Sequence, residues 1–153
     1  MLDEVQKTMG MIQGILGGIG AISLLVAAIG IANTMIMSVY ERTREIGVMK
    51  VIGASFKDIR SMFLIEAGMI GFAGGVFGVA LSYLISLMMN TVLQPVLAGI
   101  MSDFIGGGST ISVIPFWVAL GALGFATLIG LLSGYAPAKR AMKLSALEGL
   151  KNE

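Results

Sequence analysis

The residues of this chain best suited to specific polar contacts lie in one short run, ERTREIGVMKVIGA, at residues 41–54. Ile46, Met49 and Ile52 recur there at a spacing of three, which predicts one apolar face on a helix. The charged residues that fill the other positions are Glu41, Arg42, Arg44, Glu45 and Lys50. Such a helix can dock in a groove on a partner protein or lie on lipid headgroups, and periodicity alone does not separate these two hypotheses.

The residue types needed for catalysis or metal binding are largely missing. With no Cys and no His, thiol chemistry, disulfides and the commonest metal ligand are excluded. The glycine cluster at residues 14–20 lacks the Lys followed by Ser or Thr that ends a P-loop. No lysine or carboxylate lies inside the apolar stretches to act as a base. We therefore expect no enzymatic activity, cofactor site or metal site in this chain.

Glu66 is a carboxylate at the inner edge of the second predicted span, where charge is costly to bury. Three hypotheses apply to it. It is a solvated interfacial carboxylate, a partner for a basic residue of the preceding segment, or a proton-relay group. With no second charge inside the apolar stretches, the relay is the least favoured of the three.

Composition then predicts the elements that must position these residues. The chain of 153 residues is 56% hydrophobic and 12% charged, outside the usual range of soluble domains. Residues 8–40, 67–102 and 104–138 contain no charged side chain. About 20 helical residues cross a bilayer, so each stretch holds one span. The predicted fold is all-α, an integral membrane bundle of three helices with spans at 15–39, 64–90 and 114–136.

The distribution of basic residues predicts the orientation. Nine of the ten lie in a link at residues 41–62 or in a tail at residues 138–153. Because basic residues in short loops stay in the cytoplasm, we expect both segments inside, with the N-terminus and an outer loop at 91–113 outside. An N-terminus outside with only Lys7 before the span favours a truncated chain over a complete small protein.

Small residues recur at every fourth position within the spans, which lets helix backbones approach closely in lipid. Such ladders favour packing within the chain over a dimer face, although spacing cannot assign the face. The residues predicted to pack are Gly14, Gly18, Gly71, Gly75, Gly130 and Gly134.

Local signals mark the ends of two helices. Ser55 followed three residues later by Asp58 is a capping-box pattern, which predicts a helix that begins near Phe56. Pro137 predicts a break or a kink after the third span.

Several segments together resemble the C-terminal half of the FtsX/MacB-like ABC transporter permeases, over nearly the whole chain. The charged run ERTREIGVMKVIGAS is the most specific, and it follows the span LLVAAIGIANTMIMSVY. The segments FLIEAGMIGFAGGVFGVALS and SGYAPAKRAMKLSALEGLK agree as well. The family often has proline near the position of Ser145, so this sequence departs from the family pattern in its tail.

The resemblance implies that residues 1–153 hold the last three of four spans, without the family's first span and its extracytoplasmic domain. It implies a cytoplasmic coupling helix at residues 41–54 that contacts an ABC ATPase subunit, which binds the ATP and Mg²⁺. Glu41, Arg42, Arg44, Glu45 and Lys50 would make the polar contacts, while Ile46, Met49 and Ile52 fill a groove. The resemblance also implies a homodimer of permeases, an extracytoplasmic adaptor and a location in a prokaryotic plasma membrane. It does not imply a nucleic-acid partner.

The function that this resemblance implies is mechanical. A MacB-type permease couples ATP hydrolysis in its partner to export or extrusion. Two alternatives come from other classes: an FtsX-like signalling subunit that regulates a cell-wall hydrolase, and an autonomous membrane scaffold that packs through its glycine ladders.

Overall fold

A computed structural model describes residues 2–93, 95 and 112–143. The elements in these residues are all helical, so the predicted all-α class is confirmed. Three of the helices are long and apolar enough to cross a membrane, as the sequence predicted. Most of the predicted outer loop, and the predicted tail after residue 143, lie outside the described residues.

Helix α1 spans Leu2–Glu41, and its 40 residues give a rod about 60 Å long. It contains no proline, and three of its hydroxyl groups bond to its own backbone. Thr8, Ser23 and Thr34 donate to the carbonyl oxygens four residues earlier, at 2.8, 2.9 and 3.0 Å. Because these bonds satisfy the three hydroxyl donors, these side chains are compatible with an apolar solvent.

Helix α2 spans Thr43–Val51 and follows α1 after a single interruption at Arg42. Backbone hydrogen bonds continue across the junction, from the amide of Arg42 to Ser38 and from the amide of Ile46 to Arg42. The Thr43 hydroxyl donates to the Tyr40 carbonyl oxygen at 2.7 Å. The short helix predicted after the first span is therefore present, and its hydrogen bonds are continuous with those of α1.

A tight turn separates α2 from helix α3, which spans Phe56–Met88. Gly53 has φ +97°, a left-handed conformation that glycine adopts at no steric cost. The Ser55 amide donates to the Asp58 carboxylate at 3.1 Å, and the Asp58 amide donates to the Ser55 hydroxyl at 3.3 Å. This is the predicted capping box, and the helix begins at the predicted residue.

Beyond Met88 the helix widens into a π-helical turn, Met89–Leu93. The Asn90 side chain makes two bonds to the backbone of Ser112, donating to its carbonyl oxygen at 2.7 Å and accepting from its amide at 3.1 Å. The Ser86 hydroxyl lies 3.0 Å from that of Ser112. These bonds tie the segment before the last helix to the end of α3.

Helix α4 spans Phe116–Lys143 and contains Pro137. The sequence predicted a break or a kink at this proline, and the break is wrong, since the helix continues for six residues beyond it. Proline has no backbone N–H, so the helix loses one backbone hydrogen bond at Pro137. Pro137 is fully buried, and its packing contributes to keeping the helix intact there. The start of the predicted cytoplasmic tail is therefore helical.

The chain divides into two compact units, residues 1–68 with 129–153, and residues 69–128. The first unit holds the main core, where the ends of three long helices meet α2. The buried core residues of this unit are Met35, Val39, Ile46, Ile59, Phe63, Ala67 and Ala138. The core thus lies at the end of the helices that carries the charged residues.

The glycines fall into two groups by their surroundings. A Cβ added at Gly134 would overlap Ala67 in the first unit, and one added at Gly75 would lie 3.1 Å from Ala126 in the second. Nothing in the described chain lies within 4 Å of the same position at Gly14 or Gly18. Gly75 and Gly134 therefore permit close packing, whereas the glycines of α1, like Gly74 and Gly78 of α3, face open space in the described structure.

Candidate functional site

Helix α2 has a buried face and an exposed face. Ile46 is 1% exposed and Gly47 beside it is buried, while Met49 packs against the same core. Val48, Val51 and Ile52 on the other side are 45%, 64% and 77% exposed. The buried face anchors α2 to the long helices, and the exposed face is free to meet another surface.

Charged side chains surround this exposed apolar face. Glu41, Arg44 and Glu45 are all exposed and lie within one or two turns of Val48. A small apolar centre with a charged rim is the usual composition of a protein interface, where the rim contributes to register and partner selection. We call Val48, Val51 and Ile52, with Glu41, Arg44 and Glu45, the α2 outer face.

Lys50 turns away from this face toward the start of α3. Its ammonium lies 5.3 Å from the centre of the Phe56 ring, within the range of a cation–π contact. Burial lowers the pKa of Lys50 from its ordinary value, because desolvation disfavours the charged form. The aromatic ring opposes that effect, and the contact holds the last turn of α2 close to the turn at Gly53.

Arg42 and Glu66 form an ion pair between the α1–α2 junction and α3. The guanidinium nitrogen and the carboxylate oxygen are 3.7 Å apart, and the two side chains are 47% and 35% exposed. This contact agrees with the second of the three hypotheses for Glu66, in which the carboxylate is the partner of a basic residue in the link. Arg42 points toward its own chain rather than toward the α2 outer face.

The structure separates the residues that the sequence had grouped as one interface. Glu41, Arg44, Glu45 and Ile52 lie at the outer face, whereas Ile46 and Met49 pack inside and Arg42 and Lys50 contact α3. Val48 and Val51 belong to the outer face and were not predicted. The signal for them is their spacing of four and seven residues from Arg44, which places all three residues on one helical face.

The geometry of this site suits docking rather than chemistry. In the described part of the chain, no group of three acidic side chains is positioned to hold a metal ion. The exposed side chains of α2 are aliphatic or belong to Arg44 and Glu45. This composition is that of a docking surface.

Known proteins resemble this chain over most of its length. Residues 17–146 match the family of FtsX-like permease C-terminal domains. An ABC transporter permease of Methanocaldococcus jannaschii is 35% identical over 99% of this chain, and the permease YtrF of Bacillus subtilis is 40% identical over 88%. The macrolide export ATP-binding/permease protein MacB of Shewanella oneidensis is 38% identical over 98%.

The matched region is a minor part of each relative. The chain spans 37% of the Methanocaldococcus protein, 31% of YtrF and 21% of MacB. Three apolar helices and the family match together identify a membrane protein of the ABC transporter class. The chain therefore belongs to the family of FtsX-like permeases and corresponds to its C-terminal domain.

Proposed function

We propose that this chain is the membrane part of a MacB-type exporter, and that the α2 outer face docks on the part of the transporter that binds and hydrolyses ATP. The observation that carries the proposal is the division of α2 into a buried face and an exposed one. Covering the exposed side chains of Val51 and Ile52 would contribute roughly 25 cal/mol of free energy per Å² of apolar area removed from water. We infer that a partner covers them.

The mechanism follows from how α2 is anchored. Force applied at Val48 or Ile52 reaches Ile46 through the same short helix, and Ile46 packs in a core shared with α1, α3 and α4. Close-packed cores shift as units rather than deforming continuously. ATP-driven closure of the nucleotide-binding part would therefore tilt the long helices together and drive export or extrusion.

The ATP and Mg²⁺ belong, in this proposal, to the nucleotide-binding part, which the family resemblance implies to be a separate subunit. MacB is named as an ATP-binding/permease protein, and its name therefore places both parts in one polypeptide. The outer face serves either arrangement. The proposed assembly contains two paired permeases and an extracytoplasmic adaptor. It lies in a plasma membrane, with the N-terminus of this chain outside.

Site-specific photo-cross-linking in the native membrane tests the docking directly. A photoreactive residue at Ile52 should capture a P-loop ATPase domain, identified by mass spectrometry of the cross-linked peptide. The same residue at Lys57 is the matched control, because Lys57 is exposed on the first turn of α3 and lies outside the outer face. We expect capture of the ATPase domain at Ile52 to exceed capture at Lys57, because a photoreactive group captures what lies beside it.

Two results would reject the proposal. Capture of lipid alone at Ile52, in membranes where the transporter is intact, would show that the outer face lies on headgroups. Normal ATPase coupling in an Arg44→Glu variant that is fully expressed would show that the charged rim contacts no partner. Lys57→Glu is the matched charge reversal, on the first turn of α3 and outside the outer face.

A further inference from the structure

A small pocket lies between the end of α1 and the last turns of α4. Its walls are Ile36, Val39, Tyr40, Pro137 and Arg140, and its volume is about 40 Å³. Pockets that enclose drug-sized molecules measure roughly 300 Å³ or more. This one can therefore admit only a small terminal group of a larger molecule.

The chemistry of the pocket changes from one end to the other. Ile36, Val39 and Pro137 supply an apolar wall, and the Arg140 guanidinium and the Tyr40 ring supply a polar mouth. Among the described residues no carboxylate pairs with Arg140. A guanidinium with its five donors is matched to the paired oxygens of a phosphate group.

The pocket also lies at a defined level of the helices. The uncharged stretch of α1 ends at Tyr40, and that of α4 ends at Ala138, immediately before Lys139 and Arg140. Both helices thus leave the apolar region at the mouth of the pocket. That is the level at which phospholipid phosphates sit and at which tyrosine rings concentrate.

An apolar track continues from the pocket along α1. Ile29 lies seven residues before Ile36, two turns along the same face, and it is 67% exposed. An acyl chain whose headgroup occupied the mouth would run along this track. The site therefore offers a guanidinium at the pocket and an exposed aliphatic side chain two turns away along α1.

We propose that this pocket binds an anionic phospholipid, with its phosphate on Arg140 and one acyl chain along Ile36 and Ile29. Anionic lipids are favoured because they carry no ammonium group to compete with the guanidinium. The leaflet in which this lipid lies follows from the membrane orientation given under the proposed function. The contact between the lipid and the pocket does not depend on that orientation. Val39 lines the pocket and also belongs to the core, so a bound lipid stabilises the packing of α1 on α4.

Lipid-dependent thermal stability and native mass spectrometry of the purified permease test this proposal. In a neutral detergent, phosphatidylglycerol should raise the unfolding temperature and remain bound, while phosphatidylcholine with the same acyl chains should do neither. Arg140→Gln should weaken retention of phosphatidylglycerol by about tenfold, as expected when a charged hydrogen bond worth about 1.4 kcal/mol is lost.

Lys139→Gln provides the matched control, because it removes the same charge one residue away from a side chain that does not line the pocket. We expect its lipid retention to stay within about twofold of the wild type. Ile36→Trp keeps every charge and fills the pocket, and it should abolish retention even if Arg140→Gln fails to fold.

Equal losses in Arg140→Gln and Lys139→Gln would overturn the proposal, because diffuse attraction would then explain the binding. Displacement of the lipid by inorganic phosphate at millimolar concentration would also overturn it, since the ligand would then be soluble phosphate. The ATPase coupling of the same variants is a separate readout. Lipid retained by Arg44→Glu, with coupling lost, would distinguish the lipid site from the docking face.

Discussion

Single residues of α2 take different roles according to the direction in which they point. Ile46 and Ile52 are the same amino acid six positions apart, yet one is 1% exposed and the other 77%. Truncating Ile46 removes core packing and leaves a cavity, whereas truncating Ile52 removes only a contact surface. A loss of function at Ile46 would therefore accompany a loss of stability, and a loss at Ile52 would not.

The ion pair of Arg42 with Glu66 separates the two arginines of the link. Arg42→Glu places two carboxylates beside each other and should lower the unfolding free energy by up to about 1 kcal/mol, the range of exposed pairs. Adding Glu66→Arg should restore it. Thermal unfolding of the four variants of this cycle, purified in detergent, measures the effect.

Arg44 supplies the control for this cycle, since it is exposed and makes no such pair in the described structure. We expect Arg44→Glu to impair ATPase coupling, and Glu66→Arg should not rescue it. Rescue of Arg44→Glu by Glu66→Arg would contradict the assignment of separate roles.

Gly134 and Gly18 test the two environments of the glycine ladders. Gly134→Ala should cost about 1–3 kcal/mol of stability, because the added methyl group would overlap Ala67. Gly18→Ala should change stability by less than about 0.5 kcal/mol, because the described chain leaves open space there. Unfolding temperatures in detergent compare the two variants, and an equal loss at Gly18 would show that a second chain covers that face.

The sequence predicts the chemical character of residues 41–54 better than the direction in which each side chain points. Charge and spacing identified residues 41–54, but the pattern at a spacing of three selected Ile46, Met49 and Ile52 as one face. The core of the long helices takes Ile46 and Met49, and Ile52 falls beyond the helix end at Val51. Tertiary packing decides this division, and no local signal in α2 encodes it.

At the scale of elements, the turn between α2 and α3 is the best-specified part of the chain. Gly53 provides the left-handed conformation, and Ser55 and Asp58 cap the next helix reciprocally. All three residues are short-range signals that act through their own backbone neighbourhood. The sequence therefore predicted the start of α3 to the residue.

Removal of the capping hydroxyl measures what this turn contributes. Ser55→Ala should cost about 0.5–2 kcal/mol and speed hydrogen exchange at the amides of the first turn of α3. Ser61→Ala, an exposed serine in the same helix, serves as the control and should leave exchange unchanged. Unchanged exchange in both variants would mean that the turn is held by Lys50 and Phe56 instead.

Other elements could not be predicted, for a physical reason. The π-helical turn Met89–Leu93 coincides with the bonds from Asn90 to Ser112, a residue 22 positions later. The continuation of α4 through Pro137 coincides with burial of that proline. Both features depend on partners distant in sequence, which local propensity does not report.

At the scale of the whole molecule, the core of the first unit lies close in sequence to most of the basic residues. Its buried residues belong to or flank the segments 41–62 and 138–153, which contain nine of the ten basic residues. Most of α1, by contrast, is exposed: no residue of its most apolar stretch is buried in the described structure. The number of helices followed from composition, since only three uncharged stretches are long enough to cross a bilayer.

The orientation remains a prediction, and the absence of cysteine makes it simple to test. Single variants Glu4→Cys and Lys57→Cys place one thiol at each predicted side. In intact cells, a membrane-impermeant maleimide should label Glu4→Cys, and it should label Lys57→Cys only after permeabilisation, because basic segments are retained inside. The reverse pattern would invert the orientation and place the α2 outer face away from any cytoplasmic ATPase.

The length of α1 determines how far a small rotation can reach. The helix is about twice as long as the roughly 30 Å hydrocarbon core is thick, and it contains no proline to act as a joint. In the proposed mechanism this helix is a lever, fixed at the end where Met35 and Val39 pack. A rotation of about 10° at that fulcrum sweeps the far end through about 10 Å, so a sub-ångström shift near α2 is geometrically amplified at the opposite end.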